Sequence, residues 1–256
     1  MSFTIQYLEY ILLVFIRVTG VVVVAPFFGS TDIPRKLKVM IAAIFTFTIM
    51  GTIDYTSVSY QTEWDYAAMV LKEAITGVLI GFGGRLCLYI LSFSGNMIDM
   101  EIGFSMVQEM DPTTSISSTV TSNFYMYVFM LLFLVSDMHY FVIDALVDSY
   151  KVIPIGGAKF SPNLYAIMVT YIADYFIIGF RIILPVFCCI LVINIVLGIL
   201  AKIAPQMNMF VIGMQLKIIV GLFLIFLTLQ LFGNVADYMF DEMHNLTKYF
   251  IQNMKP

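Results

Sequence analysis

Nearly every long apolar stretch of this chain carries an ionisable residue inside it, which limits what can surround the stretch. Arg17 lies within YILLVFIRVTGVVVVAPFF, Lys72, Glu73 and Arg85 in the stretch after Tyr66, and Asp137 within FYMYVFMLLFLVSDMHYFVI. Asp174 and Arg181 fall in the stretch from Leu164, and Lys217 in the one from Met209. A charge facing lipid at mid-depth costs about 2.5–3.5 kcal/mol on insertion scales. These side chains must therefore face protein, water or one another. Their recurrence points to a membrane protein whose helices are largely covered inside a larger assembly.

Composition supports the membrane reading. The chain is 61% hydrophobic and 12% charged, where a soluble domain carries about 25% charged residues. Each crossing needs about 20 apolar residues. The 256 residues hold about six apolar segments, near 7–28, 37–53, 66–93, 122–147, 164–201 and 209–236. The expected fold class is an all-α membrane protein built of helical hairpins. Pro185 falls inside the long fifth segment and should kink it. A net charge of −4 gives no nucleic-acid footprint.

Basic residues gather in the first connector at Arg35, Lys36 and Lys38, and acidic ones in the second at Asp54, Glu63 and Asp65. The positive-inside tendency puts the first connector in the cytoplasm and the amino terminus outside. The opening MSFTIQYLEY lacks a basic n-region and a small-residue cleavage site, so it is expected to be retained. The mixed-charge tail at 237–255 reads as amphipathic, suited to an interface or a partner.

Gly77, Gly81 and Gly84 are spaced four and three apart, on one helix face with Glu73 a turn earlier. Such a face admits close approach by another helix, either from the same chain or from another subunit. No GKS or GKT follows, so it is not a phosphate loop. The least membrane-like internal stretch, about 94–121, holds four acids and then a Ser/Thr run. Within it Asp111-Pro112 followed by Thr113, Thr114 and Ser115 favours a turn. A connector this long is either functional or simply solvated. Met97, Met100, Met106 and Met110 supply soft side chains that can seal around varied surfaces, or plain packing.

Catalytic equipment is thin. His139 and His244 are far apart in sequence and form neither a zinc pattern nor a triad with a recognisable serine motif. Cys87, Cys188 and Cys189 lack CxxC spacing and read as buried small hydrophobes. The chain is expected to have no catalytic residues, no metal and no cofactor. Asp174 and Arg181 lie seven apart on one helix face, suited to structural pairing more than to a proton relay.

An ordered set of motifs resembles the R-subunit family of the flagellar type III export gate, the FliR family. It comprises Arg17-Val-Thr-Gly20, Ala25-Pro26-Phe27, Ile33-Pro34-Arg35-Lys36, Gly103-Phe104-Ser105 and Asp111-Pro112. Farther on come Met130-Leu-Leu-Phe-Leu with His139, Ile153-Pro154-Ile155-Gly156, and Ala204-Pro205-Gln206-Met207-Asn208-Met209-Phe210. The resemblance implies a non-enzymatic gate subunit for unfolded flagellar proteins. A P-subunit-like part would occupy residues 1–163 and a Q-subunit-like hairpin and tail residues 164–256. The implied partners are the P- and Q-type subunits FliP and FliQ, the switch subunit FlhB, the export subunit FlhA, unfolded substrates in transit, and membrane lipid.

The resemblance also assigns residues. Met106, Met110, Asp111, Pro112, Thr113, Thr114, Ser115 and Ile116 would belong to a loop that helps to close the pore. Lys202, Pro205 and Gln206 would form the cytoplasm-facing turn of the hairpin. Arg17, Glu73, Gly77, Gly81, Gly84, Asp174, Arg181 and Lys217 are then expected as assembly contacts. The implied location is the bacterial inner membrane within the flagellar basal body, with the core raised toward the periplasm. The alternatives are the equivalent subunit of a virulence-type injectisome, and a self-contained secondary transporter. The latter is disfavoured because no internal repeat is evident.

Overall fold

A computed structural model describes residues 5–30, 32–53, 60–104, 109–110, 117–206 and 208–256. Seven helices account for most of them: α1 (Ile5–Val24), α2 (Arg35–Met50), α3 (Glu63–Ile102), α4 (Val120–Val135), α5 (Met138–Val152), α6 (Asn163–Ile203) and α7 (Met209–Asn253). Two short strands, β1 (Glu109–Met110) and β2 (Ser117–Ser118), pair antiparallel. The protein is an all-α membrane protein. Among the described residues, four helices are long and apolar enough to cross a bilayer: α1, α3, α6 and α7. At 16 residues, α2 falls short of the roughly 20 that a crossing needs.

The helix bounds correct several expectations. The polar stretch expected from 94 begins later, because α3 runs on to Ile102. The chain leaves α3 at Gly103, whose φ of 96° suits a residue without Cβ. The apolar run around Asp137 is two helices rather than one. Asp137 adopts a left-handed φ of 56° between α4 and α5, a conformation that Asp tolerates better than bulky residues do. By contrast α6 continues through Pro185 without interruption. Helix α5 stops at Ile153, where the following Pro154 disfavours helical backbone. At the start of α3, the Asp65 carboxylate accepts the Thr62 amide at 3.0 Å, half of a capping box.

The chain forms two compact units, each discontinuous in sequence. The first comprises Met1–Leu86, Phe133–Tyr171 and Met239–Pro256. Its core takes Leu13, Val14 and Val18 from α1, Ile80 from α3 and Leu146 from α5. The end of α7 adds Met239, Met243, Leu246 and Phe250, and Met254 follows directly after it, all buried. The tail expected at an interface or on a partner is therefore core of its own chain. Its charged residues point outward while every third or fourth residue is apolar and covered, the helical period of a buried stripe.

The second unit comprises Cys87–Leu132 and Ile172–Tyr238. Its core holds Leu91, Ile98 and Ile102 from α3, Tyr125 and Phe129 from α4, and Tyr175, Val186 and Ile190 from α6. Tyr125 stacks on Phe232 of α7 at 5.2 Å, and Phe93 on Phe176 of α6 at the same distance. The apolar windows of α6 and α7 are only 17% and 11% buried, against 39% and 50% for α1 and α3. The outer faces of α6 and α7 thus need lipid or other protein to cover them.

Candidate functional site

The first unit is built around a buried polar knot. Arg17 and Glu73 are both fully buried. Arg17 Nε donates to Glu73 Oε2 at 2.6 Å and Nη2 to Oε1 at 3.0 Å, a bidentate pair between α1 and α3. The remaining guanidinium donors reach Ser149 Oγ at 3.3 Å and the Ile153 carbonyl at 3.2 Å, both at the end of α5. The Gly156 amide donates to Glu73 Oε1 at 2.8 Å. The Tyr150 ring lies 4.2 Å from the guanidinium carbon, and its hydroxyl donates to the Val14 carbonyl at 3.0 Å. A buried charge is tolerable only when paired and hydrogen-bonded. Here both charges meet that condition inside one chain.

The glycine face lies directly beside the knot. A Cβ on Gly77 would run into the Arg17 carbonyl, one on Gly81 would meet the Ala25 amide, and one on Gly84 would strike Pro26 and Met243. The close helix approach expected from the spacing therefore forms between α3, α1 and the end of α7. Arg17, Glu73, Gly77, Gly81 and Gly84, expected as assembly contacts, each have a partner within the chain, and the glycine face takes the intrachain one of its two expected forms. Beside Gly156, a cavity of about 400 Å³ is lined by Tyr60, Gln61, Asp65, Met69 and Lys72. At its rim Tyr60 donates to Glu9 Oε1 at 2.8 Å, which pushes the Tyr60 hydroxyl above its ordinary pKa.

Asp174 and Arg181 lie exposed on α6, and Lys217 lies half-buried on α7. Among the described residues none of the three has an ion-pair or side-chain hydrogen-bond partner. Exposed apolar side chains flank them, including Phe176 and Ile177 on α6 and Ile219 on α7. Cys188, expected buried, is exposed on the same helix as Asp174, whereas Cys87 is buried. Lys202 is exposed in the last turn of α6, Pro205 and Gln206 are exposed in the turn between α6 and α7, and Asn208 Oδ1 caps α7 through the Val211 amide at 3.4 Å.

Most of the expected pore loop lies outside the described residues: Met106, Asp111, Pro112, Thr113, Thr114, Ser115 and Ile116. Met110 belongs to β1, and its backbone pairs with Ser117. The base of the loop holds residues that sequence reasoning left without a role. Asp99 of α3, fully buried, accepts the Thr121 amide at 2.8 Å and also the Thr121 hydroxyl. Asn96 Oδ1 accepts the Thr119 hydroxyl at 2.8 Å. The available signal was the pair of threonines placed just before an apolar run, the pattern of a helix start. Among the described residues no three His, Cys, Asp or Glu side chains gather to hold a metal.

This fold and its internal polar knot define an all-α membrane protein that satisfies part of its intramembrane charge internally and leaves part exposed. Comparison with known proteins adds the family: the chain belongs to the bacterial export proteins, family 1, matched over residues 8–243. It is 26% identical to flagellar biosynthetic protein FliR of Escherichia coli (strain K12), covering 97% of this chain and 96% of that one. It is 29% identical to FliR of Bacillus subtilis (strain 168) over 92% and 93% of the two chains, and 27% identical to FliR of Aquifex aeolicus (strain VF5) over 98% and 96%. Pieces of the sequence resemblance meet in the knot. Arg17, 136 residues from Ile153, binds its carbonyl, and Gly20 packs on Gly77.

Proposed function

We propose that this chain is a membrane subunit of the flagellar protein-export apparatus, acting as the R-type subunit of its export gate and not as an enzyme. The observation that carries the reading is similarity to flagellar relatives along nearly the whole length of both chains. The names of those relatives also favour the flagellar apparatus over an injectisome. In this reading the chain forms part of a conduit for unfolded flagellar proteins in the inner membrane of the basal body, its core raised toward the periplasm.

The finer assignments follow from the same reading. Residues 1–163 are P-like, and residues 164–256 form a Q-like hairpin and tail whose turn, with Lys202, Pro205 and Gln206, faces the cytoplasm. FliP- and FliQ-type subunits cover the outer faces of α6 and α7 and supply counter-charges to Asp174, Arg181 and Lys217; FlhB and FlhA complete the apparatus. The segment after Gly103, with Met106, Met110, Asp111 and Pro112, closes the conduit at rest. A gate must hold back ions and then yield to a polypeptide, which suits a connector between two firmly held helix ends. Deleting the gene should abolish secretion of flagellar proteins and swimming, and restoring the chain should recover both. Secretion that persists without the chain would overturn the proposal.

A further inference from the structure

The cavity beside Gly156 belongs wholly to the first unit and takes no part in the polar knot. Tyr60 and Gln61 line it from just before α3, and Asp65 and Lys72 from the helix itself. Those two charges are seven residues apart on one helix face, so they lie about 10 Å apart along its axis. Gly156 keeps the wall open, since a Cβ there would stand 2.9 Å from Met69 Sδ. The two ends of the cavity differ in sign. At one end stands the Asp65 carboxylate, with the Glu9 carboxylate behind the Tyr60 hydroxyl that donates to it. Glu9 Oε2 is buried and has no hydrogen-bond partner among the described residues. At the other end Lys72 is half-buried, and among the described residues no ion pair meets its amine.

Local rules account for Asp65 but not for Lys72. An acid in the first turn of a helix meets amides left unpaired there, and Asp65 accepts the Thr62 amide. A lysine in the third turn gains nothing from the helix dipole. An amine half withdrawn from water needs a counter-charge, and the adjacent Glu73 is committed to Arg17.

The setting is that of a membrane surface. Trp64, beside Asp65, is 85% exposed, and tryptophan concentrates at bilayer interfaces. Leu71, Ile75 and Val78 are the exposed apolar side chains at and below the level of Lys72. A lysine so placed extends its amine back toward the surface. From the outside inward the order is acid, amine, apolar side chains. An aminophospholipid presents the complementary order, with ammonium outermost, phosphate beneath it and acyl chains deepest.

We propose that this cavity binds the head group of a zwitterionic aminophospholipid. The phosphate meets the Lys72 amine, the ammonium faces the acidic end at Asp65 and Glu9, and the chains lie along Leu71, Ile75 and Val78. At about 400 Å³ the cavity falls within the roughly 300–1,000 Å³ of ligand pockets. Free phosphate offers the same charge to Lys72 and nothing to the acidic end. The site is independent of the role proposed in export. It keeps the amino-terminal end of α3 within reach of lipid, however far the rest of the core is raised.

The test uses the full chain purified with its partner subunits, stripped of lipid in detergent and titrated with short-chain phosphatidylethanolamine. Bound lipid is counted by native mass spectrometry. Lys72→Met should weaken binding about tenfold or more, the loss of one charge-assisted hydrogen bond, and Lys72→Arg should retain it. Ala68→Leu narrows the cavity from an exposed position without removing a charge, and it should weaken binding too. Lys151→Met removes an exposed amine elsewhere and should bind as the parent does. Phosphatidylglycerol, which lacks the amine, should bind less tightly by about tenfold. Equal binding by Lys72→Met and the parent would overturn the proposal, and equal binding of the two lipids would reduce the cavity to a general anion site. Soluble phosphoethanolamine or inorganic phosphate binding as tightly as the lipid would overturn it in favour of a free small molecule. An assembly that takes up no lipid would overturn it and leave the cavity to a partner subunit. If Lys72→Met fails to assemble, Ala68→Leu decides the matter by the same titration.

Discussion

Arg17 and Asp174 pose the same problem in sequence, a charge in the middle of an apolar helix, and the two units of the protein answer it in opposite ways. In the first unit the charge is fully buried and meets Glu73, Ser149, Ile153 and the Tyr150 ring. In the second unit Asp174 and Arg181 stand exposed among uncovered apolar side chains, and no partner for them lies among the described residues. A charge satisfied at home serves the fold of the chain. A charge left open on an apolar face is stable only when something outside the chain meets it. The contrast separates residues that make this protein from residues suited to joining it to others.

The largest effect should come from removing the end of α7. A chain stopped after Tyr238 loses buried Met239, Met243, Leu246, Phe250 and Met254. Each such side chain contributes about 2–5 kcal/mol, so the truncated chain should fail to accumulate in membranes. Normal accumulation with loss of assembly alone would restore the tail to a partner-binding role. Next comes the knot. Glu73→Ala leaves the Arg17 charge buried and should cost about 3–5 kcal/mol, read as lost protein in a membrane-level assay. Joint replacement by apolar residues, Arg17→Met with Glu73→Leu, should recover much of the loss, since a buried pair often gives way neutrally to packed hydrophobes.

Gly77→Ala should be milder, about 1–3 kcal/mol, the usual cost of overpacking, because the added methyl forces α3 away from the Arg17 carbonyl. A lowered unfolding temperature of the purified chain would register it. The smallest effect on the isolated chain belongs to Asp174→Ala and Arg181→Ala. Each should shift stability by about 0.5 kcal/mol or less, as exposed substitutions do, yet reduce co-purification with partner subunits. An equal fall in both measurements would erase the distinction between the two sets of charges.

Much of this was legible in the residues. The glycine spacing gave the face of α3, and it put Glu73 on that face beside the knot. What the spacing could not give was the partner: Arg17 and Glu73 are 56 residues apart and Arg17 and Ile153 are 136, separations that no local period encodes. The glycine face was open between its own chain and another subunit and the charges were read as assembly contacts, yet five of those eight residues have partners within the chain. The tail misled for a related reason. Its charges dominate the composition, while the stripe of Met, Leu and Phe beneath them becomes informative only once a groove exists to receive it. Asp137 shows a further limit, since a hydropathy window passes over a single left-handed residue that splits one apolar run into two helices. Asp99 stood in plain view as one of four acids in a polar stretch. Its role appears only when the ends of α3 and α4 are brought together.

The division between charges met inside the chain and charges met outside it is tested most directly by labelling. With Asp174→Cys and Arg181→Cys introduced separately into a chain whose native Cys188 and Cys189 are replaced by serine, reaction with a soluble maleimide is followed in detergent. It is measured first for the chain alone and then for its co-purified assembly. The account predicts ready labelling at both positions in the isolated chain and strong protection in the assembly. Equal labelling in the two samples would contradict it.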